Sequence, residues 1–182
     1  MSKISPLAFI DPEAKIGENC EIGPFCFIDK NVEIGDNNVL MNSVSVLYGA
    51  RIGNGNVIFP GAVISAVPQD LKFRGEETTA EVGDNNKIRE NVTINRGTAA
   101  KGKTCVGSGN LLMESVHVAH DAFVGNDCIS GNGTKLAGEI IIDDHAIISA
   151  NVLMHQFCRV GGYTMVGGGT RFSQDIPPYT IC

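Results

Sequence analysis

The sequence predicts an all-β fold, a parallel solenoid of short strands stacked as triangular coils of 18 residues. Three observations carry that expectation. Glycine supplies 22 of the 182 residues, tryptophan is absent and aromatics are 6%. That is a turn-rich balance unlike a helical bundle, average glycine usage being ~7%. Stepping by six from Ile4 to Phe172, 24 of the 29 positions hold Ile, Leu, Val or Met. Four residues after each such position the chain is often small, as at Ala8, Cys20, Cys26, Ala50, Ala62, Cys128, Ala146 and Cys158. A large inward residue, a small inward residue and a corner make one short strand and one turn. Three such units close a coil, and coils stacked at ~4.8 Å turn the aliphatic positions into internal ladders.

From the N-terminus, the aliphatic positions run unbroken from Ile4 through Ile16, Ile28, Leu40 and Ile52 to Ile64. The stretch Val67–Ala80 (VPQDLKFRGEETTA) then loses them at Asp70 and Glu76 and gathers charge. The phase resumes at Val82, Ile88 and Ile94, and is lost again in Asn95–Cys105 (NRGTAAKGKTC), where Ala100 takes the slot. It runs on from Val106 to Val166, with Ser130 as a gap. Because the phase survives on both sides, each stretch reads as a loop that leaves the coil and returns. Such a loop is either a plain surface insertion or the place where a rigid solenoid builds specificity. Glycine often follows the aliphatic slot (Gly17, Gly35, Gly53, Gly83, Gly107, Gly125), where a turn with φ > 0 is expected. Residues 1–182 thus read as one domain with loops at about 67–80 and 95–105. A sandwich or barrel would show period-two alternation, which is absent.

The net charge of −6 is uneven. Residues 1–86 carry 6 Lys and Arg against 12 Asp and Glu, and residues 87–182 carry 8 against 8. That argues against nucleic acid as a partner. There is no apolar run of membrane-spanning length and no signal peptide, so a cytoplasmic protein without membrane insertion is expected. Cys20, Cys26, Cys128 and Cys158 fall in the inward small slot, where a thiol acts as a small hydrophobe; no CxxC pair exists.

The chemistry concentrates in His117-Val118-Ala119-His120-Asp121. Val118 is an inward slot, so His117 and His120 flank it and face outward. A histidine beside an aspartate is a candidate general base, the carboxylate stabilising the imidazolium that holds the abstracted proton. Stepping by one coil from position 120 gives Gly138 and Gln156, so a base, a bare backbone amide and a side-chain amide share a column over ~10 Å. His155 adjoins that column, and His145 reads as surface.

Six segments then carry a family resemblance: QDLKFRGE (69–76), GDNNKIRENVTINRGT (83–98), NLLMESVHVAHD (110–121), GTKLAG (133–138), HQFCRVGG (155–162) and QDIPPY (174–179). The repeat resembles the hexapeptide-repeat left-handed parallel β-helix, and it is the resemblance that supplies the handedness. The segments together resemble the UDP-N-acetylglucosamine O-acyltransferases, which take the first step of lipid A biosynthesis. The resemblance implies that His120 is the base for the glucosamine 3-hydroxyl, which attacks a 3-hydroxyacyl thioester on acyl carrier protein. Asp121 would orient His120, and the Gly138 amide would hold the oxyanion. Asp70, Lys72, His117 and Gln156 would bind the sugar nucleotide, with His155 lining the cleft. Met165 and Gly168 fall where the family sets acyl-chain length. No cofactor and no metal are implied, since the acyl group arrives on the phosphopantetheine of the carrier. The family is a homotrimer with sites between subunits, so loop 67–80 of one chain would complete another's site. Two departures stand out. Glu139 replaces a common family histidine, and the family's helical C-terminal segment is expected to be absent beyond Cys182. Alternatives are a trimeric scaffold of weak or no activity and a zinc carbonic anhydrase of the same fold.

Overall fold

A computed structural model describes residues 1–182 as a left-handed parallel β-helix without any α-helix. Twenty-six strands, from β1 (Lys3–Ile4) to β26 (Arg171–Phe172), are each two to four residues long. They sort into three flat parallel sheets in which every third strand is a neighbour. The first sheet begins at β1, the second at β2 (Phe9–Ile10) and the third at β3 (Lys15–Ile16). Register follows the sequence step: Ile4 faces Ile22, Ile10 faces Ile28 and Ile16 faces Ile34. The aliphatic slots from Ile22 to Val166 are almost all fully buried and form the core inside the triangle. Because a two-residue strand has no partner within its own coil, its backbone groups bond to the next coil, as Lys3 N–H does to Cys20 C=O.

The loop lengths explain why the phase survives. Ile52 pairs with Val82 and Ile64 with Ile94, 30 residues on instead of 18. Val82 pairs with Val106 and Ile94 with Val118, 24 residues on. The excursions therefore add twelve and six residues, both multiples of the period. Both leave the second sheet for the third: one from β11 (Val63–Ala66) to β12 (Thr79–Val82), the other from β14 (Thr93–Asn95) to β15 (Lys103–Val106). Thr79, Ala80 and Lys103–Cys105 already lie in strands, so both loops end slightly earlier than the sequence predicts. They also bond to each other: Arg96 N–H donates to Ala66 C=O at 2.9 Å, and the Thr78 hydroxyl to Gly97 C=O at 2.6 Å.

The role of the corner glycines is corrected. Positive φ falls two residues later than expected, at Asn19, Asn31, Asn37, Asp121, Glu139 and their equivalents, where Asn and Asp tolerate it better than other side chains. Gly53 and its relatives are needed instead for close approach. A Cβ on Gly53 would overlap the Asp84 carboxylate and lie 2.8 Å from Gly83 C=O. That carboxylate accepts the Asn54 N–H at 2.6 Å, and Asp36, Asn126 and Asp144 cap the preceding coil in the same way.

A ladder inside the helix is absent from the sequence-based reading. Asn38, Asn56, Asn86 and Asn110 are buried in the small slot, and each Oδ1 accepts the backbone N–H of the next rung at 2.8–2.9 Å. Ser130 does not leave the coil. It keeps its aliphatic slot between Leu112 and Ile148, fully buried, with its hydroxyl unbonded. An unbonded buried hydroxyl costs about 1–3 kcal/mol. Ser130→Val is therefore expected to raise stability by about 1 kcal/mol or more, read as a thermal midpoint a few degrees higher at equal protein concentration. Gly53→Ala should lower it, because backbone of the next coil must move.

Candidate active site

His117 lies on β17 (His117–Val118), one coil after Thr93. The chain then turns the same corner from which both excursions leave, one and two coils earlier. At that corner stand His120 and Asp121, Asp121 with φ 60°. The Asp121 side chain is wholly buried. Its carboxylate accepts the Thr98 N–H at 2.9 Å, the Thr98 hydroxyl at 2.6 Å and a contact from His120 Nδ1 at 2.9 Å. A buried carboxylate needs such donors. As it only accepts, the proton of the imidazole lies on Nδ1 and the Nε2 lone pair is left open. Thr98 belongs to the second excursion, so that loop fixes the histidine.

One coil on, Gly138 sits against the imidazole: a Cβ there would be 2.7 Å from both Cε1 and Nε2 of His120. Any side chain at 138 would push the ring out of place. The Gly138 N–H makes no hydrogen bond within the chain, so a donor is free beside Nε2. Glu139 donates its N–H to His120 C=O at 3.0 Å.

The cleft beside this corner has a volume of about 360 Å³ and takes its polar walls from Gln69, Asn95, His117, His120, Lys135 and Gln156. His117 Nδ1 lies 2.6 Å from the Thr93 hydroxyl. Burial first, then the nearby Lys135 and His120, push the His117 pKa below its ordinary 6.5. Thus His120, Gly138 and Gln156 come together as the column arithmetic expects, with His117 on the same cleft wall and Asp121 behind His120. His155 is exposed and lines an adjoining cavity with Arg171 and Phe172, sharing Leu153 and Met154 with the first. Asp70 and Lys72 do not wall the cleft of their own chain. They form a turn in the first excursion, Lys72 N–H donating to Asp70 Oδ1 at 2.9 Å. Met165, on the first sheet, and Gly168, past its end, lie on another side of the triangle.

Four contributors escaped the sequence reading. Lys135 was within reach of it, being one coil after His117. Gln69, Asn95 and Thr98 lie at or inside the excursions, where no column predicts position. No group of three His, Cys, Asp or Glu side chains within the chain is placed to hold a metal ion.

An oriented base with a free backbone N–H beside it on the wall of a cleft suits acyl transfer, in which a hydroxyl loses its proton while a thioester oxygen gains charge. On a β-helical scaffold that defines a hexapeptide-repeat acyltransferase. No protein-family model matches the chain. It is 45% identical over all 182 residues to the acyl-[acyl-carrier-protein]–UDP-N-acetylglucosamine O-acyltransferase of Aliarcobacter butzleri, covering 70% of that protein. The solved UDP-N-acetylglucosamine acyltransferase of Bacteroides fragilis is 75% identical with a TM-score of 0.96, over 98% of this chain and 70% of that one. The Arabidopsis enzyme is 32% identical with a TM-score of 0.84, over the same shares. The chain belongs to the UDP-N-acetylglucosamine O-acyltransferase family. The scaffold and carbonic anhydrase alternatives are not favoured by these relatives.

The lowered His117 pKa has a consequence for stability. As the pH falls through about 6.5, the unfolded chain takes up this proton before the folded one, so stability declines. His117→Gln removes that share. The wild type should lose stability faster than the variant from about pH 7 to about pH 5, read as the difference in urea midpoints.

Proposed function

We propose that the chain transfers a 3-hydroxyacyl group from acyl carrier protein to the 3-hydroxyl of UDP-N-acetylglucosamine, the entry step of lipid A biosynthesis. The observation that carries this reading is the His120–Asp121 pair, 2.9 Å apart and set against the bare backbone of Gly138. His120 Nε2 takes the proton of the sugar hydroxyl as its oxygen attacks the thioester carbon. The former carbonyl oxygen becomes an oxyanion, and the Gly138 N–H donates to it. Collapse breaks the carbon–sulfur bond, and the departing thiolate of the phosphopantetheine arm takes the proton back from His120. Asp121 is a positioning residue that holds the ring tautomer and balances the transient imidazolium. One oxyanion donor of this kind is worth about 3–4 kcal/mol.

His117 and Gln156 bind the sugar nucleotide from the cleft wall, with His155 at its margin. Asp70 and Lys72 reach it from the excursion of a neighbouring subunit. This fits their absence from the cleft of their own chain and goes with a homotrimer that has its sites between subunits. Met165 and Gly168 limit the acyl chain, a small residue at 168 leaving room for a longer one. The reaction needs neither metal nor resident cofactor. No helix of the chain is long and apolar enough to cross a membrane, and a cytoplasmic location suits substrates that are carried there.

Given UDP-N-acetylglucosamine and a 3-hydroxyacyl carrier protein, the protein should release free carrier thiol. His120→Ala should lower kcat by about 10²- to 10⁴-fold, with the assembly intact by size-exclusion chromatography. Undiminished turnover in that variant would remove His120 from the chemistry.

A further inference from the structure

Asn95 is the last residue of β14, one coil before Ala119, and only 2% of its surface is exposed. Its Nδ2 donates to Val67 C=O at 3.1 Å and lies 3.5 Å from Ala66 C=O, where the first excursion leaves the helix. Two carbonyl acceptors on that side fix the amide: turning it over would set oxygen against oxygen. The amide oxygen is therefore held in one direction, and it has no hydrogen-bond donor in the chain. Asn95 walls the same cleft as His117, His120 and Gln156. A buried acceptor left without a donor is uncommon in native proteins and asks for a ligand that brings one.

We propose that Asn95 is a further substrate-binding residue, its Oδ1 accepting a hydrogen bond from a hydroxyl or amide N–H of the acceptor sugar. This rests on the acyl-transfer reading above for the identity of that sugar. A hexosamine presents several such donors next to the hydroxyl that surrenders its proton to His120. Several other polar groups of the cleft are engaged on one side, His117 Nδ1 with Thr93, His120 Nδ1 with Asp121, and the Lys135 ammonium with Ser115 C=O at 2.6 Å, whereas the fixed Asn95 oxygen is buried with no donor at all. Its Nδ2 meanwhile grips the start of its own chain's first excursion. One amide thus holds the loop with its nitrogen and a ring donor with its oxygen.

The test is equilibrium titration of UDP-N-acetylglucosamine alone into the purified full chain, beside KM measurements for each substrate. Asn95→Ala removes both roles. Asn95→Ser withdraws the amide oxygen from its fixed position and leaves a shorter hydroxyl that can still donate toward the loop side, so it serves as the second variant if the alanine variant folds poorly. Both variants should bind the nucleotide sugar about tenfold more weakly or worse, with the KM for the acyl carrier within about twofold of wild type. Among 4-deoxy and 6-deoxy analogues, the one lacking the bonded donor should bind wild type less well than the parent while Asn95→Ser no longer tells them apart. If both deoxy analogues behave alike, the donor is the acetamido N–H, and the UDP-2-deoxyglucose analogue, which carries no donor at C2, is the one that shows the loss. Equal dissociation constants in wild type and both variants overturn the role of Asn95 alone. A wild type that binds UDP-N-acetylglucosamine normally but transfers no acyl group overturns the acyl-transfer reading alone, and one that does not bind it overturns both.

Discussion

Each strand of this protein is two to four residues long, and its backbone hydrogen bonds run almost entirely to the coil above and the coil below. No coil can satisfy its own N–H and C=O groups, so the whole chain depends on stacking in register. That one constraint accounts for the other regularities. The aliphatic slots must coincide from coil to coil to exclude water from the centre of the triangle. The corner glycines must leave room for the Asx side chains of the next coil. Asn38, Asn56, Asn86 and Asn110 extend the same logic inward, each amide oxygen bonding a backbone N–H one rung away. A buried polar ladder is stable only when every rung is matched, and here the rungs carry on to the N–H of Cys128.

The site is a by-product of that register. His120 and Gly138 belong to neighbouring coils and touch because all corners align. What makes this corner different from its equivalents elsewhere in the helix is the pair of excursions packed on it. The second delivers Thr98 to the Asp121 carboxylate, and the first is tied to the second through Asn95 and Arg96. The Arg96 guanidinium lies 5.6 Å from the Tyr48 ring and 5.2 Å from that of Phe73, so a cation stacked between two aromatics joins the loop to the solenoid. The chemistry therefore rests on a rigid frame and on two loops that are themselves held down.

Much of this was legible because an 18-residue period converts sequence position into position in space. Val118 pointing in, His117 and His120 pointing out, and the alignment of 120, 138 and 156 follow from arithmetic alone. The same arithmetic covers Lys135, one coil after His117, which the sequence reading does not single out. The excursions obey no period, so the contact of Thr98 with Asp121 and the approach of Asn95 to the cleft had no signal. The glycine corners misled for a physical reason. Glycine serves both φ > 0 and close packing, and only the coordinates tell which applies. At Gly17 and Gly35 it is the second, while the left-handed residue lies two positions on and is Asn19 or Asn37. Ser130 misled in the opposite direction, since a polar residue in a buried slot looks like a break in the repeat when it is merely an imperfect filling.

The hold of Thr98 on Asp121 inverts the usual map of mutational tolerance. Core positions here accept Ile, Leu, Val and Met in turn, because each slot asks only for an apolar side chain of about the right volume. The loop from Arg96 to Gly102 is an excursion from the solenoid, where drift is normally free, yet its first three residues are buried and two of the carboxylate's contacts come from its one threonine. Over evolutionary time the interior of such a protein can be rewritten piece by piece. The threonine of a six-residue insertion, tied to one carboxylate, does not have that freedom.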